Sequence, residues 1–392
     1  MDSEISGRVK KFLEHAHNLY GPGFIPLHRP LFVGDEKQRL LDCIDSNFVS
    51  SAGALITAFE EQVATYTGIE HAVATVNGTA AIQVALRLVG VEPGDEVVTQ
   101  ALTFVATSNA IAYTGATPTF IDVDRETMGM SQASLANFLE EQTQRSPNGE
   151  LVNRLSGRRI AAVMPMHTFG HPCHIAEIAE ICADYELPLV EDAAEALGTR
   201  LDGQHVGTHG QVATLSFNGN KVITTGGGGM LLTNDPDMDA RAKHLTTTAK
   251  QPHAWNYFHD EVGYNYRMPN LNAALGVAQM QKLDEMLAAK RVVADRYAAF
   301  FEERDEHFVI ERAGVTANYW LNAILTEDRS ARDEWLARTN EAGVMTRPAW
   351  DLMADLPMYR ECQNDGLENA RWLQERLVNI PSSVPDGWID NQ

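Results

Sequence analysis

The sequence predicts an α/β protein, a mostly parallel mixed sheet covered by helices on both faces and followed by a smaller α+β domain. Three observations carry this expectation. Short apolar strand patterns alternate with helical periodicities from residue 71 to residue 233. The alternation ends near residue 250, where a long helical pattern and then a strand and a helix take over. The chain has 392 residues and is 44% hydrophobic, enough for one large core and a smaller one. The expected division is an N-terminal segment (1–30) packing on the small domain, a large domain (31–250) and a small C-terminal domain (251–392).

In chain order, residues 1–30 hold a short amphipathic segment and the loop Gly21-Pro22-Gly23. His71 to Val76 reads as a strand, and Asn77-Gly78-Thr79 breaks it. Ile82, Ala85, Leu86 and Val89 then recur at i, i+3, i+4 and i+7, and Gly90 stops that helix. Pro93-Gly94-Asp95 turns the chain into a strand at Glu96 to Thr99, a helix follows from Val105 to Tyr113, and Thr119 to Val123 is a further strand. Ile160 to Met164 reads as a buried strand, and Ile175, Ile178, Ala179 and Cys182 line one face of the next helix. Leu189 to Asp192, Val212 to Phe217 and Met230 to Thr233 complete the strands. Beyond them come a long helix over Leu271 to Phe301, a strand at Trp320 to Leu325 and a helix from Arg332 to Glu341.

Ligands of such sheets bind at the carboxyl ends of strands, and Thr79, Asp192 and Ser216 all fall there. Lys221 follows the last of them, in a stretch of small, apolar and amide residues with no acid, and precedes Gly226 to Gly229. Most lysines are solvated surface charges. This one lies downstream of a strand that ends in a carboxylate, and that pairing suits pyridoxal 5'-phosphate (PLP). The cofactor needs an amine to form a Schiff base with its aldehyde and a carboxylate to keep its ring nitrogen protonated. Lys221 and Asp192 are the candidates for those roles.

Each remaining candidate has two readings. Asp192 is also a suitable helix N-cap. Glu195 reaches the cofactor's ring hydroxyl or closes a capping box with Asp192. Gly78, Thr79 and Ala80 are a helix start or, with Ser216, a phosphate cup. Phe104 is a core residue or a stacking platform for the ring. His167 and His171 stand four residues apart but lack the acidic base of a helical zinc motif, and Gly170 with Pro172 describe a loop after a strand for the segment that also holds His174. No metal is expected; His167 lines a pocket near the cofactor or is a loop histidine without a role.

Composition excludes several functions. The net charge of −22 disfavours nucleic acid and anionic membranes, so a polyanionic substrate has to meet a local basic patch. The acidity fits a soluble cytosolic protein, with salt adaptation as the other reading. Cys43, Cys173, Cys182 and Cys362 form no C-x-x-C pair, which argues against a disulfide framework and for a reducing compartment. Asp2, Glu4, Lys10 and Lys11 do not read as a signal peptide, and no apolar run reaches the ~18 residues of a membrane span. A cytoplasmic location is expected.

Five segments together carry a family resemblance. Asn77-Gly-Thr-Ala-Ala81, Thr103-Phe-Val-Ala-Thr107, Glu191-Asp-Ala-Ala-Glu-Ala-Leu-Gly198, Ser216-Phe-Asn-Gly-Asn-Lys221 and Gly263-Tyr-Asn-Tyr-Arg-Met268 resemble the PLP-dependent nucleotide-sugar aminotransferases of the DegT/StrS group. The resemblance implies the aspartate-aminotransferase-like fold (fold type I) and a homodimer whose active sites use both subunits. It implies Lys221 as the Schiff-base lysine, Asp192 on the pyridine nitrogen and Phe104 on the ring. Gly78, Thr79, Ala80 and Ser216 then hold the phosphate, with Asn265 from the partner chain. Glu195 departs from the glutamine or histidine that many relatives have there.

Ile25-Pro-Leu-His28, Phe32-Val-Gly-Asp-Glu36, Asp45-Ser-Asn-Phe-Val-Ser50, Thr99-Gln-Ala-Leu-Thr-Phe104 and Lys221-Val-Ile-Thr-Thr-Gly226 are similar to the aminotransferases of bacillosamine and legionaminic acid pathways. That likeness implies amino transfer from L-glutamate to the C4 ketone of UDP-4-keto-6-deoxy-N-acetylglucosamine, for surface glycan or nonulosonic acid synthesis. Lys250, His253, Arg267 and Arg347 are the basic groups expected near the diphosphate, and Trp350 is expected over the sugar. A PLP-dependent sugar dehydratase and a non-catalytic regulatory relative are the rival readings. The lysine favours transamination, because some of the dehydratases carry histidine in its place.

Overall fold

The computed structural model describes residues 2–389. Three helices precede the first strand, α1 (Asp2–Tyr20), α2 (Glu36–Asp45) and α3 (Ala54–Thr67). In α3, Ile56, Phe59 and Val63 fall on one buried face, and Gly68 ends the helix at φ +78°, a conformation glycine adopts without strain. The N-terminal segment is longer than expected. Helix α1 runs nineteen residues, and its Phe12 packs against Tyr297, Phe301 and Trp335.

The alternating region forms the sheet that the sequence predicts. Its strands are β1 (His71–Thr75), β2 (Glu96–Gln100), β3 (Thr117–Ile121), β4 (Ile160–Met164), β5 (Val190–Asp192), β6 (Val212–Ser216) and β7 (Gly229–Thr233). A portion ordered β1-β7-β6-β5 meets a portion ordered β4-β2-β3 through the parallel bridge of Val163 with Leu189. Only β7 runs antiparallel to its neighbours. The helices packed on this sheet are α4 (Gly78–Leu88), α5 (Val105–Tyr113), α6 (Gln132–Gln142), α7 (Ile175–Asp184) and α8 (Pro236–Thr246). With strands buried on both faces, their sequences read as near-continuous apolar runs.

The single long helix expected over Leu271 to Phe301 is two helices, α9 (Asn270–Met280) and α10 (Leu283–Phe301). They bury against different partners. Gly276 of α9 lies so close to Phe59 of α3 that a Cβ there would sit 2.7 Å from the ring, while α10 presents Tyr297 to Phe12. The break at Gln281-Lys282 lets one amphipathic stretch serve both surfaces. A second sheet of β8 (His307–Phe308), β9 (Asn322–Leu325), β10 (Arg347–Pro348) and β11 (Leu377–Ile380) follows, antiparallel in the order β8-β9-β11-β10. Helix α11 (Arg329–Glu341) starts three residues earlier than expected because Asp328 caps it, accepting the Ala331 amide at 2.8 Å. No described helix is long and apolar enough to cross a membrane.

A buried ion pair braces the segment that leads to the Asn77-Gly78-Thr79 corner. Glu60 of α3 accepts the Ala74 amide at 2.6 Å and pairs through both oxygens with Arg267, whose Nη1 also donates to the Ala74 carbonyl at 3.1 Å. The pair therefore ties α3, β1 and the segment before α9 together, one turn upstream of the Asn77-Gly78-Thr79 corner. Removing one partner leaves the other charge buried and uncompensated. Glu60→Ala is expected to cost about 3 kcal/mol in urea unfolding, and replacing both Glu60 and Arg267 by apolar residues to recover part of that loss.

Candidate active site

The carboxyl ends of β1, β5 and β6 and the turn after β2 converge on one cavity of about 340 Å³. Of the residues singled out in the sequence, Gly78, Thr79, Phe104, Asp192, Glu195, Ser216, Lys221 and Trp350 line it. Of the lining residues not singled out in the sequence, two bear on the titratable groups, Thr107 and Trp320. Thr107 lies on the first turn of α5 just after Phe104, so the Thr103 to Thr107 segment already contained its signal. Trp320 sat inside a predicted strand, and nothing in its spacing set it apart from a core residue.

One end of the cavity is built for an anion. The first amides of α4 have no acceptor within the helix, and Asn77 caps only that of Ala80, at 2.8 Å. The amides of Gly78 and Thr79 remain for a ligand, beside the Ser216 hydroxyl. Ala80 contributes through its capped backbone rather than by lining the cavity. A Cβ on Gly78 would lie 3.1 Å from Ser216 Cβ, and one on Gly229 would lie 2.4 Å from the Asn77 carbonyl oxygen. These two glycines let β6, β7 and the helix start close around the anion position.

The middle of the cavity holds the titratable groups. Asp192, fully withdrawn from water, accepts the Thr107 hydroxyl at 2.7 Å on Oδ2 and the Ala194 amide at 3.2 Å on Oδ1. Burial raises its pKa, while those two donors and the charge of Lys221 pull the other way. No helix starts at Asp192, so the N-cap reading falls. Lys221 Nζ lies 3.3 Å from Glu195 Oε1 and 3.9 Å from the centroid of the Trp320 ring. Glu195 Oε2 accepts the Phe169 amide at 2.9 Å, so its oxygens are used there and not in a capping box with Asp192. Burial pushes the Glu195 carboxyl up to about 7, against the pull of Lys221 and the Phe169 amide. Phe104, half exposed at the start of α5, and Trp350, whose ring lies 6.3 Å from it, flank the opening.

Several expected residues are elsewhere. His167 is buried behind the site: its Nε2 lies 3.0 Å from Glu191 Oε2 and its Nδ1 3.7 Å from Cys173 Sγ, so it meets no ligand. Arg267 is spent on Glu60. Arg347, on the edge strand β10, donates to Asn340 Oδ1 at 3.0 Å and to the Thr346 carbonyl. Lys250 and His253 belong to an exposed loop where Lys250 Nζ sits 4.1 Å above the Tyr257 ring and Trp255, Tyr257, Phe258 and Val262 face solvent. Asn265 is exposed and absent from this chain's own cavity.

Residues 32–385 match the DegT/DnrJ/EryC1/StrS aminotransferase family. The chain is similar to the GDP-perosamine synthase of Escherichia coli O157:H7, 36% identical over 92% of this chain and 93% of that one. The GDP-perosamine synthase of Caulobacter vibrioides is 34% identical, over 91% and 93% of the two chains. Among solved structures, the aminotransferase TlmJ of Streptoalloteichus hindustanus superposes with a TM-score of 0.83 at 28% identity, covering 92% of this chain and 94% of that one.

The raised pKa of Glu195 has a measurable sign. A carboxyl whose folded pKa lies above its ordinary 4.5 contributes stability that is complete below 4.5 and lost as pH rises through about 7. Glu195→Gln removes that dependence. In urea unfolding of the cofactor-free protein, the stability of wild type relative to the variant is expected to fall by about 3 kcal/mol across this window. A difference that does not change with pH would show that Glu195 does not titrate there.

Proposed function

The chain belongs to the DegT/DnrJ/EryC1/StrS aminotransferase family, and we propose that it transfers an amino group from L-glutamate to the C4 ketone of a nucleotide-linked 4-keto-6-deoxy sugar. The observation that carries this reading is the convergence of Lys221, Asp192 and the α4 start on one cavity. The residues present fit the family's cofactor, pyridoxal 5'-phosphate. When bound, it supplies an aldehyde that takes up amino groups and a ring that accepts electrons from the carbon losing its proton.

The chain's own groups divide the remaining work. The Gly78 and Thr79 amides and the hydroxyls of Thr79 and Ser216 hold the phosphate at the helix start, where the dipole favours negative charge. Asp192 would face the ring nitrogen and favour its protonated form. Thr107 and Ala194 fix that carboxylate, so no reorganisation is needed when charge develops. Lys221 Nζ holds the cofactor at rest. Once released, it takes the proton from the α-carbon of glutamate and later delivers one to C4 of the sugar. Phe104 covers one ring face, and Trp350 borders the sugar. We assign Asn265 to the cavity of a second copy in a homodimer, with the loop of Lys250 and His253 beside the diphosphate.

The nucleotide is the open choice. The relatives named as GDP-perosamine synthases favour GDP, and the stretches around His28 and Asn47 favour a UDP-linked N-acetyl sugar. Assays with GDP- and UDP-linked 4-keto-6-deoxy sugars, read by 2-oxoglutarate release and NMR of the product, are expected to favour one nucleotide by about tenfold or more. Release with neither sugar would refute the acceptor class. Borohydride reduction is expected to trap the cofactor on the Lys221 peptide and on none in Lys221→Ala; an adduct at another lysine overturns the assignment. Asp192→Asn is expected to lower turnover by about 10²- to 10³-fold.

A further inference from the structure

Trp320 has no part in the steps above, yet it contacts both the reacting lysine and the residue before it. Its indole Nε1 donates to the carbonyl of Asn220, the residue before Lys221, at 2.6 Å. Its backbone amide donates to Asn318 Oδ1 at 2.8 Å, and its carbonyl accepts from the buried Lys290 at 3.2 Å. Three bonds thus fix a ring whose face lies under Lys221 Nζ, 3.9 Å from the centroid.

The second wall is set against the first. Asn318 Nδ2 donates to the carbonyls of Glu195 and Leu197, at 2.8 and 2.9 Å, so one side chain joins the Trp320 and Glu195 segments. The Phe169 amide holds Glu195 Oε2 and leaves Oε1 directed at Lys221, 3.3 Å away. Phe169 itself sits at φ +57°, an unusual conformation for a bulky residue, held where its ring lies 4.8 Å from that of Trp350. An aromatic face and a carboxylate at this spacing are complementary to an ammonium group.

We propose that Trp320 and Glu195 form a built resting seat for the Lys221 ammonium when it is released from the cofactor, which makes Trp320 a positioning residue for the transfer. The inference rests on the reading of Lys221 as the reacting amine. A free lysine side chain has many rotamers, and a seat confines it without a covalent bond. In this seat the ammonium proton passes from Nζ to Glu195 Oε1, leaving a neutral amine and a neutral carboxyl; the return transfer restores the ion pair. The released nitrogen therefore stays at the cavity wall and has a partner for its proton.

The seat is testable without turnover. In the cofactor-free protein, Lys221 is labelled by reductive methylation and quantified by peptide mass spectrometry in wild type, W320L, W320F and E195Q. At about pH 7.5, W320L and E195Q are expected to raise labelling by about 3- to 10-fold, because the ammonium loses a stabilising wall, and W320F to stay within about twofold. Unchanged labelling in folded W320L or E195Q overturns the seat, as does an equal rise in W320F, which reports access alone. Borohydride trapping on Lys221 in the same variants, after pyridoxal 5'-phosphate is restored, separates the two claims. Trapping elsewhere refutes the lysine assignment, whereas trapping at Lys221 with unchanged labelling refutes only the seat.

Discussion

Two adjacent carboxylates on β5, both removed from water, set the terms for this fold. Successive side chains of a strand point to opposite faces, so Glu191 and Asp192 meet different surroundings. Glu191 receives the amides of Gly207, His209 and Gly210 at 2.7, 2.7 and 2.6 Å and the His167 ring at 3.0 Å. Burial alone would raise its pKa, and these donors bring it below the ordinary value. Asp192 has two donors and keeps capacity for a third. One carboxylate is saturated and clamps the loop before β6; its neighbour is left for a cationic ligand. Burying an undersatisfied acid is costly, and the surrounding sheet is what holds it in place.

The lysine is placed by the same sheet. β6 ends at Ser216, the chain turns through Asn218 to Lys221, and the return into β7 is closed by Phe217 accepting the Thr225 amide at 3.0 Å and donating to Gly228 at 2.8 Å. Lys221 is therefore carried on a short loop anchored at both ends by neighbouring strands. The second sheet adds Trp320 from just before β9, so the cavity is complete only where both sheets meet. Strand ends and a helix start hold Thr79, Asp192 and Ser216 in register, and the short loop of Lys221 is tied between β6 and β7.

The sequence was most legible where one element dictates its own pattern. Apolar strands, the helix Val105–Tyr113 and the strand-end positions of Thr79, Asp192 and Ser216 follow from local periodicity and turn chemistry. Helices α2 and α3 were not read, although Ile56, Phe59, Val63 and Gly68 carried the signal for α3. The break between α9 and α10 was invisible because it answers to partners distant in sequence. The misplaced basic residues failed for the same reason. Arg267 pairs with Glu60 and His167 with Glu191, and no spacing rule reveals such partners. Glu195 and Trp350 were found by type and position, while Trp320 needed the packing of the second sheet to be distinguished from core.

The exposed stretch from Trp255 to Val262 has a consequence for the chain's behaviour in solution. Four large apolar side chains on one loop favour sticking to whatever apolar surface they encounter. Against this stands the charge of −22, which makes encounters between copies mutually repulsive. That repulsion is screened within about 8 Å at physiological ionic strength. Colloidal behaviour thus divides by distance: electrostatics keeps copies apart until they come close, and the aromatic loop then rewards only an approach that shields it.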